Sequence, residues 1–123
     1  MRLRLAWAGL LRQFTARGDT MVEQPNGLIT VLLDESVDQA ERGDAALDLR
    51  EYPNKSSEDA LREVLKRPST HPLLAEDCAE SLAFIWCERG AVDLEFLRSL
   101  DEAASSMARG VLRRYCPDLL ACG

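Results

Sequence analysis

The chain has few of the side chains on which metal sites and phosphate-binding enzymes depend. It has one histidine, and its four cysteines, at positions 78, 87, 116 and 122, form no Cys-x-x-Cys pair. Zinc sites of the common spacings are therefore excluded. The seven glycines are scattered and form no phosphate loop. The longest apolar run, Gly27 to Leu33, is too short to cross a bilayer, so we expect no membrane span.

The parts of a catalytic centre are also missing. His71 precedes a proline in a predicted loop, and nothing in the sequence marks a nucleophile or an orienting partner for it. Asp44 and Asp48 lie one helical turn apart, but no apolar pocket is evident that would separate their pKa values. No loop resembles an EF-hand. We therefore predict a binding module with no enzymatic activity, no cofactor and no metal.

Acidic residues are in excess in the 123-residue chain, with 21 acidic against 15 basic side chains and a net charge of −6. Residues 1–20 hold four arginines and one aspartate, a charge of +3, which leaves −9 for residues 21–123. We predict a basic N-terminal extension, residues 1–20, and a helical domain, residues 21–123. The extension is a disordered arm, a short targeting peptide or an upstream addition to a chain that starts at Met21. The acidic excess argues against a nucleic-acid partner and favours a basic protein.

The cysteines are expected to be reduced. Cys78 and Cys87 lie nine residues apart on one predicted helix, on opposite sides and beyond bonding distance. We predict that both pack as small apolar residues in a cytoplasmic protein.

Almost every long segment has a helical pattern, interrupted by prolines and glycines. The apolar run over residues 28–33 suits either a short strand or a buried helix. Ser56 and Asp59 resemble a capping box, and Pro72 suits the first turn of a helix. Asp93 and Asp101 are predicted N-caps. The predicted helices cover residues 27–34, 36–51, 57–67, 72–89, 93–100 and 102–115.

A motif of two small residues followed by an apolar residue three positions later occurs three times. Its copies are Ala45–Leu49, Cys78–Leu82 and Met107–Val111, at offsets of 33 and 29 residues. A shorter apolar helix precedes each copy, so each unit is a predicted helical hairpin. We expect an all-α fold, a short α-solenoid of three stacked antiparallel hairpins.

These paired helices resemble HEAT-type repeats over residues 27–115. The resemblance is carried by Ala-Ala-x-x-Leu on the second helix and by a proline entering that helix. Arg42 lies three residues before Ala45, where such repeats often carry an arginine. Ala75 takes that place in the second unit, and the shorter third unit lacks the arginine too. The resemblance implies a HEAT-like superhelix.

Two stretches are similar to HEAT-like immunity proteins of bacterial toxin systems, as in contact-dependent growth inhibition. They run from Asp44 to Tyr52 and from Cys78 to Trp86. The resemblance implies that the protein neutralises a cognate toxin by binding it tightly. The alternative is a HEAT-type scaffold or adaptor for an endogenous partner.

Acidic residues on the second helices suggest where a partner binds. Glu41, Asp44, Asp48 and Glu51 share one helix face, predicted to lie opposite the packing side. The repeat offset places Asp44 beside Asp77. A plain solvated face is the alternative explanation of this pattern.

Aromatic residues add candidate anchors to the acidic pattern. Trp86 follows Leu82 by one turn and is expected in the core, whereas Phe84 falls on the acidic side. The mechanism would be occlusion of a basic toxin, such as a nuclease. The predicted partner-binding residues are Glu41, Asp44, Asp48, Glu51, Tyr52, Asp77, Glu80 and Phe84.

Overall fold

The structure is a computed structural model that describes residues 23–121, and its regular elements there are all helical. This confirms the predicted all-α class. The predicted N-terminal extension and Cys122 lie outside the described residues. The helices are α1 (Asn26–Leu33), α2 (Gln39–Asp48) with a 3-10 turn (Leu49–Glu51), α3 (Lys55–Lys66), α4 (Pro72–Arg89), α5 (Leu94–Ser99), α6 (Glu102–Tyr115) and α7 (Pro117–Ala121).

The helix boundaries agree closely with the sequence pattern, and α4 and α6 match it residue for residue. The run over residues 28–33 is helical, which settles the choice between strand and helix. Helix α2 begins three residues later than predicted, at Gln39. The short α7 was not predicted, because Pro117 was interpreted only as a break. A proline also suits the first position of a helix, where its missing N–H is not needed.

Side chains cap several helix starts. Asp93 and Asp101 are confirmed as N-caps, accepting hydrogen bonds from backbone N–H groups at 3.0 and 2.9 Å. The prediction that Ser56 starts α3 is wrong. Asn54 does so instead, accepting a bond of 3.0 Å from the N–H of Ser57. Asn54 has the extended backbone that a cap needs, whereas Ser56 already lies within the helix.

Helix α4 is the centre of the packing. It contacts α2 on one side and α6 on the other, and α3 packs against it as the first helix of its own pair. The side chains between these helices are mostly small or aliphatic, including Ala45, Ala79, Ala83 and Ala108. Small side chains allow the helix axes to approach closely. Trp86 lies in this core, 1% exposed, as predicted.

Two arginines fasten the end of α1 to its neighbours. The Nε of Arg42, a largely buried side chain on α2, donates 2.9 Å to the carbonyl of Leu32. Arg67, which follows α3, donates 3.1 Å to the carbonyl of Leu33. The last carbonyls of a helix have no partner within the helix and carry its negative dipole end. The two guanidinium groups therefore stabilise α1 where it meets α2 and α3.

The expectation of reduced cysteines is wrong for one pair. Cys87 on α4 and Cys116 at the end of α6 form a disulfide, with their Cα atoms 5.7 Å apart. Cys87 lies on α4 and Cys116 directly follows α6, and no local pattern shows that these two helices are neighbours. Cys78 is a free thiol buried in the core, and burial raises its pKa to about 12. It therefore packs as an unreactive apolar residue, as predicted.

Opening the disulfide should lower the stability of the protein. The bond closes a loop with a sequence separation of 29 residues. Constraining a loop of this length is worth about 3 to 4 kcal/mol on the chain-entropy model. We expect Cys116→Ser, or reduction with dithiothreitol, to lower the free energy of unfolding in urea by about that amount.

Cys78→Ala is the matched control, because it removes a thiol but no disulfide. This variant should keep its full response to dithiothreitol. An unchanged free energy of unfolding in wild-type protein, after reduction verified by mass, would contradict the stabilising role of the bond.

Candidate partner-binding face

The eight predicted binding residues differ in exposure. Glu41, Asp44 and Glu51 are exposed, while Tyr52, Asp77, Glu80 and Phe84 are half-buried. Asp48 is only 5% exposed, so the prediction that it faces solvent is wrong. It lies three residues after buried Ala45 and directly before buried Leu49, which places it at the edge of the packing side.

Close contact between α2 and α4 brings carboxylates together. A Cβ atom added to Gly43 would lie 2.6 Å from Oδ2 of Asp77, so a larger residue would require the Asp77 carboxylate to move. Burial, and next the charge of Glu80, raise the pKa of Asp77. Asp44 and Glu76 add to this effect, which agrees with the predicted placement of Asp44 beside Asp77. We call Asp44, Glu76, Asp77 and Glu80 the acidic face.

Arg50 lies within the acidic face and is the main residue that the sequence analysis missed. Its Nη2 is 2.8 Å from Oε2 of Glu80, and its Nε donates 3.3 Å to Oγ of Ser81. Its guanidinium carbon also lies 4.2 Å from the centre of the Phe84 ring. The Arg50 side chain is only 9% exposed. The cation therefore lies beneath the surface, where it positions Glu80 and Phe84.

A groove of about 380 Å³ adjoins the acidic face between α4 and α6. At one end Phe84 packs on Tyr115, with ring centres 5.0 Å apart, and Tyr115 is 49% exposed. We call this cavity the groove. Its lining residues are Glu80, Phe84, Ser106, Met107, Gly110, Val111, Arg114 and Tyr115. The third copy of the small-residue motif, 107–111, contributes part of this lining, although the sequence analysis treated that motif only as packing.

A second cleft, of about 580 Å³, lies between α3, α4 and the start of α5. Glu58 accepts three hydrogen bonds there, from Arg62 Nη2 at 2.7 Å, Arg89 Nη1 at 2.8 Å and Trp86 Nε1 at 3.1 Å. Arg62 also contacts Asp93 at 2.9 Å. We call Glu58, Arg62, Arg89 and Asp93 the charged clasp. Its charges neutralise one another, so it ties α3 to α4 and to the start of α5.

His71 has a structural role. The Nδ1 of His71 accepts a hydrogen bond of 3.1 Å from the N–H of Leu73 and caps α4, which accounts for this histidine.

Within residues 23–121, no group of three or more histidine, cysteine or acidic side chains is placed to hold a metal ion. The helices of that same segment are too short or too polar to cross a membrane.

Comparison of the chain with protein-family models, with curated proteins and with solved structures finds no match. The acidic face and the groove are therefore the features from which a function can be inferred.

Arg50→Met should destabilise the protein by about 1 to 3 kcal/mol, because it leaves half-buried Glu80 and buried Ser81 without their partner. The free energy of unfolding in urea measures the effect. Lys55→Met is the control, since its ion pair with Asp59 joins side chains that are 79% and 56% exposed. That change should cost less than about 0.5 kcal/mol. Equal effects of the two substitutions would contradict the role given to Arg50.

Asp77→Asn should stabilise the protein at pH 7. The folded-state pKa of Asp77 is raised, so the folded protein binds this proton more tightly than the unfolded chain does. The stability contributed by Asp77 therefore falls as the pH rises through the folded-state pKa. Unfolding in urea at several pH values should show the gain of the variant shrinking as the pH falls towards the ordinary value of 3.8.

Asp93→Asn is the control, because it should change the free energy of unfolding in the opposite direction. Hydrogen bonding from the N–H of Phe96, opposed by partial burial and helped by Arg62, lowers the pKa of Asp93. Its contribution is present above the ordinary value of 3.8 and is lost as the pH falls through the folded-state value. The variant should be less stable than wild type at pH 7. The same sign for both variants would refute the electrostatic account of the acidic face.

Proposed function

We propose that this chain is an immunity protein, an inhibitor that binds and neutralises a cognate bacterial toxin. The observation that carries the proposal is the acidic face, where Asp77 and Glu80 lie close enough to repel each other although Arg50 lies beneath them. Like charges held together at a surface favour a cationic partner that covers them. The proposed partner is therefore a basic protein.

The proposal includes a short HEAT-like superhelix of three stacked hairpins. The order of contacts supports it. Helices α2, α4 and α6 touch in sequence, α1 touches α3, and each first helix touches the second helix of its own pair. In a stacked array each hairpin touches the next through like helices. The acidic face would then lie on the layer formed by the second helices.

The proposed mechanism is occlusion. An enzyme that cleaves nucleic acid presents basic groups to the phosphates of its substrate. The acidic face would attract those groups and accelerate association, and the body of the protein would then block the site. Phe84 and Tyr115 lie beside the carboxylates as aromatic anchors, the residue type that dominates many interfaces. Inhibition needs no chemistry of its own, so we propose no enzymatic activity, and we place the inhibitor in the cytoplasm, where such a toxin acts.

A HEAT-type adaptor for an endogenous partner is the second candidate. The second cleft favours it, because this cleft lies between α3, α4 and the start of α5, apart from the groove between α4 and α6. An adaptor has to present two surfaces at once. If this candidate is correct, substitutions in the second cleft would affect binding of one partner while substitutions in the acidic face affect the other.

Charge reversal in the acidic face tests the proposed mechanism. The partner in the test is the toxin domain encoded beside the gene of this protein. We expect Asp44→Lys combined with Glu76→Lys to slow association by about ten-fold at low salt, because surface charges mainly set the rate of encounter. The dependence of the association rate on salt should weaken as well. Stopped-flow or surface-based kinetics at several ionic strengths would measure both effects.

Glu63→Lys combined with Glu95→Lys is the matched control. It changes the net charge equally, and α3 and α5 carry no residue of the acidic face. The ion pair that it removes, between Glu63 and Arg67, is long at 3.4 Å and involves an exposed carboxylate. Its association rate should stay close to that of wild type. The proposed mechanism would be wrong if both double variants slowed association equally. Absence of a complex between wild type and toxin at micromolar concentration would remove the immunity function itself.

A further inference from the structure

The groove has room for a side chain from another molecule. A Cβ atom built on Gly110 meets no atom within 4 Å, although the residue lines the groove between α4 and α6. The apolar lining comes from Phe84, Met107, Val111 and the exposed ring of Tyr115. A volume of about 380 Å³ is within the range of ligand pockets, which begins at about 300 Å³.

The lining of the groove includes one acidic and one basic side chain. Glu80 lines the groove and belongs to the acidic face, with Asp77 nearby. Arg114 also lines it, with its guanidinium carbon 5.7 Å from the centre of the Tyr115 ring. The groove runs along α6 from Ser106 to Arg114, which is about 12 Å of helix. Glu80 is paired with Arg50, but its charge still acts on Asp77. A basic side chain of an occupant is therefore attracted to the side of Glu80 and Asp77 and repelled by Arg114.

We propose that the groove binds a segment of a basic partner protein, with one apolar side chain seated over Gly110 and a lysine or arginine on the side of Glu80 and Asp77. The apolar lining accounts for the first contact, and the excess of carboxylates over the single Arg50 in the acidic face accounts for the second. This inference rests on the proposed function, because it specifies which part of the partner the acidic face attracts. It adds that an all-cationic segment without an apolar side chain binds weakly.

Selection from a displayed library of random 12-residue peptides on the full chain would test the inference. We expect the selected peptides to share an aliphatic or aromatic residue with lysine or arginine to one side of it. Their affinity for Gly110→Trp should be lower by about ten-fold or more, because the indole occupies the space for the apolar side chain. Gly110→Gln provides a second, polar obstruction at the same position.

Two controls isolate the groove. Gly110→Ala adds a single methyl group into open space and should keep the wild-type affinity. Ala91→Trp places the same indole beside the second cleft, on an exposed residue that lines it, and should leave the affinity unchanged. Cooperative thermal unfolding of each variant would establish that it is folded.

Several results would overturn the inference. The inference is wrong if the selection enriches no sequence or if the selected peptides are acidic. It is also wrong if the selected peptides bind Gly110→Trp as tightly as wild type, or if Ala91→Trp is the variant that loses binding. Displacement of the selected peptides by a synthetic peptide of residues 1–20 would identify this chain's own N-terminal segment as the occupant. The inference fails separately from the proposed function: if Gly110→Trp still binds the toxin normally while the Asp44 and Glu76 charge reversal slows binding, only the groove is wrong.

Discussion

The close packing of α2 and α6 on the two sides of α4 is the constraint on which the rest of the structure depends. It requires small side chains where the helices meet, and at Gly43 a Cβ atom would displace the Asp77 carboxylate. The same approach brings Asp77 near Asp44 and places Arg50 against Glu80 and Phe84. The packing of the core and the charge of the surface therefore have one origin, because the helices that bury the small residues also carry the acids.

The helical periodicity, and the residues that begin and end the helices, predicted much of the fold. Prolines, glycines and capping aspartates mark the limits of the helices, and these are local signals that a chain shows without its neighbours. The repeat offset went further, because it placed Asp44 beside Asp77 across two helices. Exposure was harder to predict. Asp48 has the same spacing as its exposed neighbours but lies at the margin of the packing side, where a small rotation of the helix decides burial.

The features that could not be predicted all depend on contacts between distant segments. Arg50 and Ser81 are 31 residues apart, and Cys87 and Cys116 are 29 apart. Nothing in the sequence around Arg50 distinguishes it from the exposed arginines. The repeat offset is a signal that could have found both pairs, since 31 and 29 are close to the spacing of the hairpins. Gly110 has no side chain to fill the groove. A motif of small residues predicts close helix packing, so it gave no indication of a cavity there.

The disulfide has a mechanical consequence for the groove. It joins α4 to α6 beside Phe84 and Tyr115, at one end of the cavity. A covalent bond at that end fixes the separation of the two helices there, so any change in the width of the groove is smallest beside Phe84 and Tyr115. The disulfide is thus a fixed point of contact between α4 and α6. The width of the groove beside Phe84 and Tyr115 is therefore set by a covalent bond as well as by packing.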